Sequence, residues 1–107
     1  MSSRHRLANR RAAETFGIEH DGQRYKISLG REFSDGVLGP VLETFISAQR
    51  PNSIMDATVS DGAILMSLLL QHGCPIETIH HAMKRNPDGS PSSPLGRAAA
   101  LVAEASQ

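Results

Sequence analysis

From Thr15 onward apolar residues recur at alternate positions. Phe16, Ile18 and His20 fall on one side of an extended chain, and beyond Asp21-Gly22 the residues Tyr25, Ile27 and Leu29 alternate with Arg24, Lys26 and Ser28. A period of two is the signature of a strand with one buried face. Asp-Gly between two such runs predicts a tight hairpin, because both central positions of a type I′ turn favour positive φ. A second turn at Ser34-Asp35-Gly36 leads into Val37 to Ile46, where Val41, Leu42, Phe45 and Ile46 predict a third strand. Pro40 confines that strand to a sheet edge or a strand start, since proline cannot donate to an interior ladder.

After Asn52-Ser53, an N-cap signal, the pattern changes. Ile54 to His72 carries apolar residues on nearly every face beyond Gly62, which predicts a central, mostly buried helix ended by Gly73. Pro75 then opens a shorter helix at its N1 position, with Glu77 in the first turn, Ile76, Ile79 and Met83 on the inner stripe, and an end near Lys84-Arg85. Pro87-Asp88-Gly89 and the serines to Ser93 form a polar loop, and Ser93-Pro94 caps a last helix with Leu95, Ala99, Val102 and Ala103 facing inward. The predicted fold is α+β: a three-stranded antiparallel sheet, hairpin plus one strand, packed against one long and two short helices.

Length sets the domain count. The 107 residues suffice for one core, expected over 13–107 behind a basic arm over 1–12. With no Trp, one Tyr and three Phe, that core must be aliphatic. Net charge is zero, but Arg4, Arg6, Arg10 and Arg11 precede the first acid. Without those four, seven cations remain against eleven acids, so the body is mildly acidic and only the arm would attract a polyanion. A single cysteine, Cys74, excludes an internal disulfide and a multi-cysteine zinc site, and the expected location is cytoplasmic. The longest uncharged apolar stretch, Gly62 to Leu70, is about half of the ~20 residues a bilayer span requires.

The candidate chemistry is sparse. His80 and His81 point about 100° apart on a helix, and the positions four away from His80 are Ile76 and Lys84, so no zinc pair forms. Glu77 and His81 stand at i, i+4 and read as a surface ion pair. Cys74, ahead of a helix N-terminus, has no base and orienting group beside it in sequence. Asp56 and Asp61 lie on different helix faces and make no acid/base dyad. Asp61 is expected at the rim of the buried stripe. Leu29-Gly30-Arg31 and Leu38-Gly39-Pro40 match no phosphate-loop pattern. No catalytic residue, metal or cofactor is expected on these grounds.

The order of features from Asp21-Gly22-Gln23-Arg24-Tyr25, through Phe33-Ser34-Asp35-Gly36, to the block Ser67 to Ile79 resembles a known family. It is similar to the C-terminal accessory region of adenosylcobalamin-dependent ribonucleotide reductases and to the small stand-alone bacterial proteins grouped with it as TSCPD-domain proteins. The block Ser67-Leu68-Leu69-Leu70-Gln71-His72-Gly73-Cys74-Pro75-Ile76-Glu77 follows the family's Ser-Leu-x-Leu-Gln-Tyr-Gly-Val-Pro-Leu-Glu pattern. The likeness runs over about Phe16 to Ala103. Departures are Cys74 for the usual Val, Pro40 and Thr44 in the third strand, and absence of the Thr-Ser-Cys-Pro-Asp signature. Ribonucleotide reduction needs a radical cysteine and a reducing pair, which one thiol cannot supply. The resemblance therefore implies a non-catalytic binding or regulatory module, not an enzyme on its own, acting in deoxynucleotide metabolism or detached from it. Its expected protein-partner surface comprises Asp35, Gln71, His72, Gly73, Pro75 and Glu77, and self-association through an exposed strand edge is a further expectation. The alternative is a small nucleic-acid-binding protein using the arm of Arg4, Arg6, Arg10 and Arg11.

Overall fold

The computed structural model describes residues 3–4 and 11–106. Strands β1 (Arg11–His20), β2 (Gln23–Ser34) and β3 (Val37–Ala48) precede helices α1 (Ile54–Gln71), α2 (Ile76–Ala82) and α3 (Pro94–Ala105). The sheet is antiparallel in the order β1-β2-β3, giving the α+β architecture of one sheet, one long helix and two shorter ones. Both hairpins turn on positive φ. Asp21 and Gly22 sit at 51° and 76°, and Asp35 and Gly36 repeat the pair at 52° and 76°. Mirror-type turns of this kind match the right-handed twist of the strands they join.

Register follows from the turns. Phe16 stands opposite Ile27, Ile18 opposite Tyr25, and Ile27 opposite Ile46, so their side chains share one face of the sheet. There they meet Val59, Ala63, Met66 and Leu70 of α1 and Ala98, Ala99 and Val102 of α3. Phe45, one residue out of phase with Ile46, points away and is exposed. The β2–β3 ladder shifts at Gly30/Arg31 and at Arg31/Phe33. At that irregularity the Arg31 guanidinium donates to Glu14 Oε1 (3.2 Å), Gly39 O (3.3 Å) and Ala105 O (2.6 Å), tying both outer strands to the C-terminal end of α3. A cation is favoured there by the unsatisfied carbonyls of the last helical turn.

The two sheet edges are treated differently. Among the described residues no fourth strand lies beside β3, and outward backbone groups of β3 are taken up by side chains of α1. Gln71 Nε2 donates to Leu42 O (3.0 Å), Ser67 Oγ accepts from Thr44 N (2.8 Å), and Ser60 Oγ donates to Ile46 O (3.0 Å). Asp56 Oδ1 accepts from Ala48 N (2.9 Å). Ser67 Oγ also lies within donating distance of Thr44 O (3.0 Å) and Ala63 O (2.8 Å), and Thr44 Oγ1 donates to Ala63 O (3.2 Å). Residues 56, 60, 67 and 71 recur on one helix face, while 42, 44, 46 and 48 are the strand positions whose backbone points outward. The helix thus does for β3 what another strand would do.

Four expectations need correction. Strand β1 begins at Arg11 and not near Thr15, because the long β2 pairs it without interruption as far as Arg11 opposite Glu32, so the end of the predicted arm belongs to the sheet. Pro75 is the N-cap of α2, with φ −64° and ψ 141°, and not its N1 residue. That helix ends at Ala82 because Met83 is extended and the chain is drawn off by an Arg85–Pro91 bridge and by Ser92 N donating to Lys84 O (3.1 Å). Helix α1 is not mostly buried: Ile54, Met55, Ile64, Leu65 and Leu69 are exposed. Its polar row is committed to β3, which fixes its rotation and turns the surplus apolar residues outward.

The remaining helix contacts are close. A Cβ on Gly62 would lie 2.3 Å from Leu95 Cδ1, so glycine at this point lets α3 approach α1. Ser67→Ala should destabilise the protein by about 1–3 kcal/mol in urea titration, since it leaves both Thr44 backbone groups buried without partners. Ser60→Ala, which strands one carbonyl at a partly buried site, should have the smaller effect. A neutral Ser67→Ala would contradict this account of the edge.

Candidate functional site

At the C-terminal end of α1 the chain reverses through Gly73, at φ 88°. His72 N donates to Leu68 O (3.0 Å), Gly73 N to Leu70 O (3.1 Å) and Cys74 N to Leu69 O (2.9 Å), which satisfies the last carbonyls of the helix. His72 Nδ1 adds a 2.8 Å contact with Leu68 O. Pro75 then starts α2. The block from Ser67 to Pro75 is therefore occupied by backbone tasks: sealing β3, ending α1 and starting α2.

The expected partner-surface residues do not form one surface. Gly73, Pro75 and Glu77 are exposed and His72 is half-buried, but Gln71 is only 4% exposed. Its amide is spent inward on Leu42, which corrects its assignment as a contact residue. Asp35 sits in the β2–β3 turn, ahead of Leu42, the strand position that Gln71 touches, and is not brought to the α1–α2 turn by any described hydrogen bond. Glu77 Oε2 and His81 Nε2 are 3.7 Å apart with both side chains well exposed, an arrangement that contributes little to stability.

A groove of about 130 Å³ runs between β3 and α1, lined by Glu43, Phe45, Ile64, Leu68 and Gln71, and Arg4 lies over it. Arg4 Nε donates to Gln71 Oε1, so one buried amide holds the edge of the sheet with its nitrogen and the N-terminal segment with its oxygen. Of the other arm residues, Arg6 and Arg10 lie outside the described residues, and Arg11 belongs to β1. Two larger open depressions, of about 560 and 650 Å³, flank Arg24 and Tyr25 at the hairpin end of the sheet and contain no Cys or His.

The titratable groups are dispersed. Among the described residues no three of His, Cys, Asp or Glu come together as metal ligands. The His80 and His81 rings meet edge to face at 5.5 Å. Cys74 packs against the core with Sγ 3.8 Å from Pro75 O and no imidazole in hydrogen-bonding reach among the described contacts. Asp56 is bound to the backbone of Ala48 and Asn52, whereas Asp61 is fully on the outside of α1 and not at the rim of a buried stripe. His20 Nε2 is buried without a hydrogen bond, its 3.5 Å separation from Asp21 Oδ2 being an electrostatic contact only. The Asp88 carboxyl is held below its ordinary pKa by the Ser90 hydroxyl (2.5 Å) and backbone N–H (2.9 Å), and this closes the loop before α3.

Sequence reasoning missed two features. One is the row Asp56, Ser60, Ser67 and Gln71, whose spacing places four polar residues on one face of an apolar helix and was a readable signal. The other is the outward stripe of α1 beside Phe45. The fold and site define an α+β module with a helix-sealed sheet and an exposed apolar helix face. No protein-family model matches the chain, nor does any curated protein or solved structure.

Gln71→Ala should destabilise the protein by about 1–3 kcal/mol by stranding Leu42 O, while Arg4→Ala should stay within about 0.5 kcal/mol of the parent, as a surface change does. Guanidinium titration of the two variants checks the order. The reverse order would mean that Gln71 serves the arm and not the strand.

Proposed function

We propose that this chain is a non-catalytic binding module that docks an amphipathic helix of a protein partner on the outward face of α1, and that it is related to the accessory region of ribonucleotide reductase. The observation carrying the docking role is the exposure of large apolar residues on the outward side of α1, Ile54 at 88% and Leu65 at 63%, together with Phe45 of β3, at 55%, in the groove it lines with Ile64 and Leu68. Large apolar residues left exposed together on one element mark interaction sites. The outward positions Ile54, Thr58, Asp61, Leu65, Leu68 and His72 are spaced 4-3-4-3-4, the spacing that lets one helix pack along another. Asp61, exposed within the stripe, suits a partner helix that carries Lys or Arg beside its apolar row.

A membrane is a poorer fit for this face. By length and composition α1 is apolar enough to cross a bilayer, but Asp56, Ser60, Ser67 and Gln71 are bonded to β3 and it carries no Lys or Arg to meet anionic headgroups. The relation to the reductase family is supported by the block Ser67 to Ile79. That its polar and special residues have backbone tasks fits a module without chemistry of its own, whether or not its partner belongs to deoxynucleotide metabolism. The arm-based nucleic-acid reading is weakened by Arg4, whose guanidinium is engaged with Gln71.

Leu65→Asp and Phe45→Asp should each weaken partner binding by at least about tenfold, or ~1.4 kcal/mol, with an unchanged circular dichroism spectrum, while deletion of residues 1–10 should leave it nearly intact. Titration of the partner recovered by chemical cross-linking provides the measurement. Binding lost on deletion of the arm, with a steep salt dependence, would support the nucleic-acid reading instead.

A further inference from the structure

The opposite edge of the sheet is built to be paired. Strand β1 is its outer strand, and the type I′ turn at Asp21-Gly22 makes His20 and Gln23 a hydrogen-bonded pair. The even residues of β1 therefore bond to β2, and the backbone groups of Ala13, Thr15, Gly17 and Glu19 point outward. Among the described residues these groups have no hydrogen-bond partner. Nothing in β1 protects them. The strand has no Pro, no Lys and no bulge, in contrast to β3 with Pro40, two register shifts and the α1 side chains along it. Its one charge on the core side, Glu14, is neutralised by Arg31. Exposed regular edges recruit further strands unless blocked.

From this contrast we infer that a second copy of the chain pairs antiparallel with β1, joining two three-stranded sheets into one six-stranded sheet with every helix on the same face. Backbone parity restricts the two-fold axis. Centred on Phe16, it pairs Thr15 with the second copy's Gly17 and Ala13 with its Glu19, which bonds four of the five outward-facing residues and leaves Arg11, at the start of the strand, opposite the second copy's Asp21 turn. Phe16 meets its own symmetry mate at a close non-hydrogen-bonded position, Glu14 faces Ile18, and no like charges stand directly opposite. Phe16 and Ile18, half-buried at the margin of the core, are covered by the same step. The interface is isologous and closes at two copies. It uses a surface separate from the α1 face and does not depend on the docking role proposed for that face.

Sedimentation of the full chain across the micromolar range tests this. The parent protein should be a dimer, and Thr15→Pro and Gly17→Pro, which remove outward N–H groups that β2 does not use, should be folded monomers. A monomeric parent, or proline variants that fold and still dimerise, would overturn the inference. Should the proline variants fail to fold, oxidation decides it in a Cys74→Ser background. Phe16→Cys should then form a disulfide-linked dimer, because paired Cα atoms at such a site lie about 4.5 Å apart, within disulfide range. Leu65→Cys on α1 should not, and cross-linking there in place of Phe16→Cys would assign the dimer to the helix face.

Discussion

The hydrogen bonds between the edge of β3 and the polar row of α1 are the constraint from which the rest follows. A three-stranded sheet has two edges, and its outer backbone groups must be bonded, hydrated or hidden. At β3 they are both hidden and bonded: Thr44 is fully buried, and its N–H and C=O both meet Ser67 Oγ. Holding Asp56, Ser60, Ser67 and Gln71 against that edge fixes the rotation of α1 to within a fraction of a turn. The row containing Val59, Ala63 and Met66 is thereby directed onto Ile27, Leu29 and Ile46, Gly62 is directed to Leu95 of α3, and Leu65 and Leu69 are directed to the outside.

This explains which parts of the fold were legible in the sequence. The hairpins were, because Asp21-Gly22 and Asp35-Gly36 act within four residues and the alternation around them has only one reading. The caps at Ser53, Gly73 and Ser93 were legible for the same reason. The rotation of α1 was not, since a helix apolar on nearly every face has no single inward direction by hydrophobicity alone. Its direction is set by four polar side chains, and although their spacing on one helix face was readable, their partners, the backbone atoms of β3, were not. The early end of α2 was hidden likewise, because it depends on a bridge between Arg85 and Pro91 formed across the following loop.

The candidate site shows the same division. Gly73, Pro75 and Glu77 lie at the surface, as their turn and helix-start character implied. Gln71 does not, because a long amide beside an unpaired carbonyl is drawn inward, and there it also meets Arg4. The block Ser67 to Pro75, the most distinctive in the sequence, has geometry as its immediate reason. Distinctive residues here hold a helix against a strand, and the surfaces we propose for other molecules are the outward stripe of α1 and the edge of β1.

The most direct test of this picture is amide hydrogen exchange, residue by residue, in the folded protein. If α1 seals β3, the Thr44 and Ala48 amides should exchange nearly as slowly as those of the central strand β2, and Ser67→Ala should accelerate Thr44 selectively. Thr44 exchanging at the rate of a solvent-exposed turn amide such as Gly36 would contradict the account.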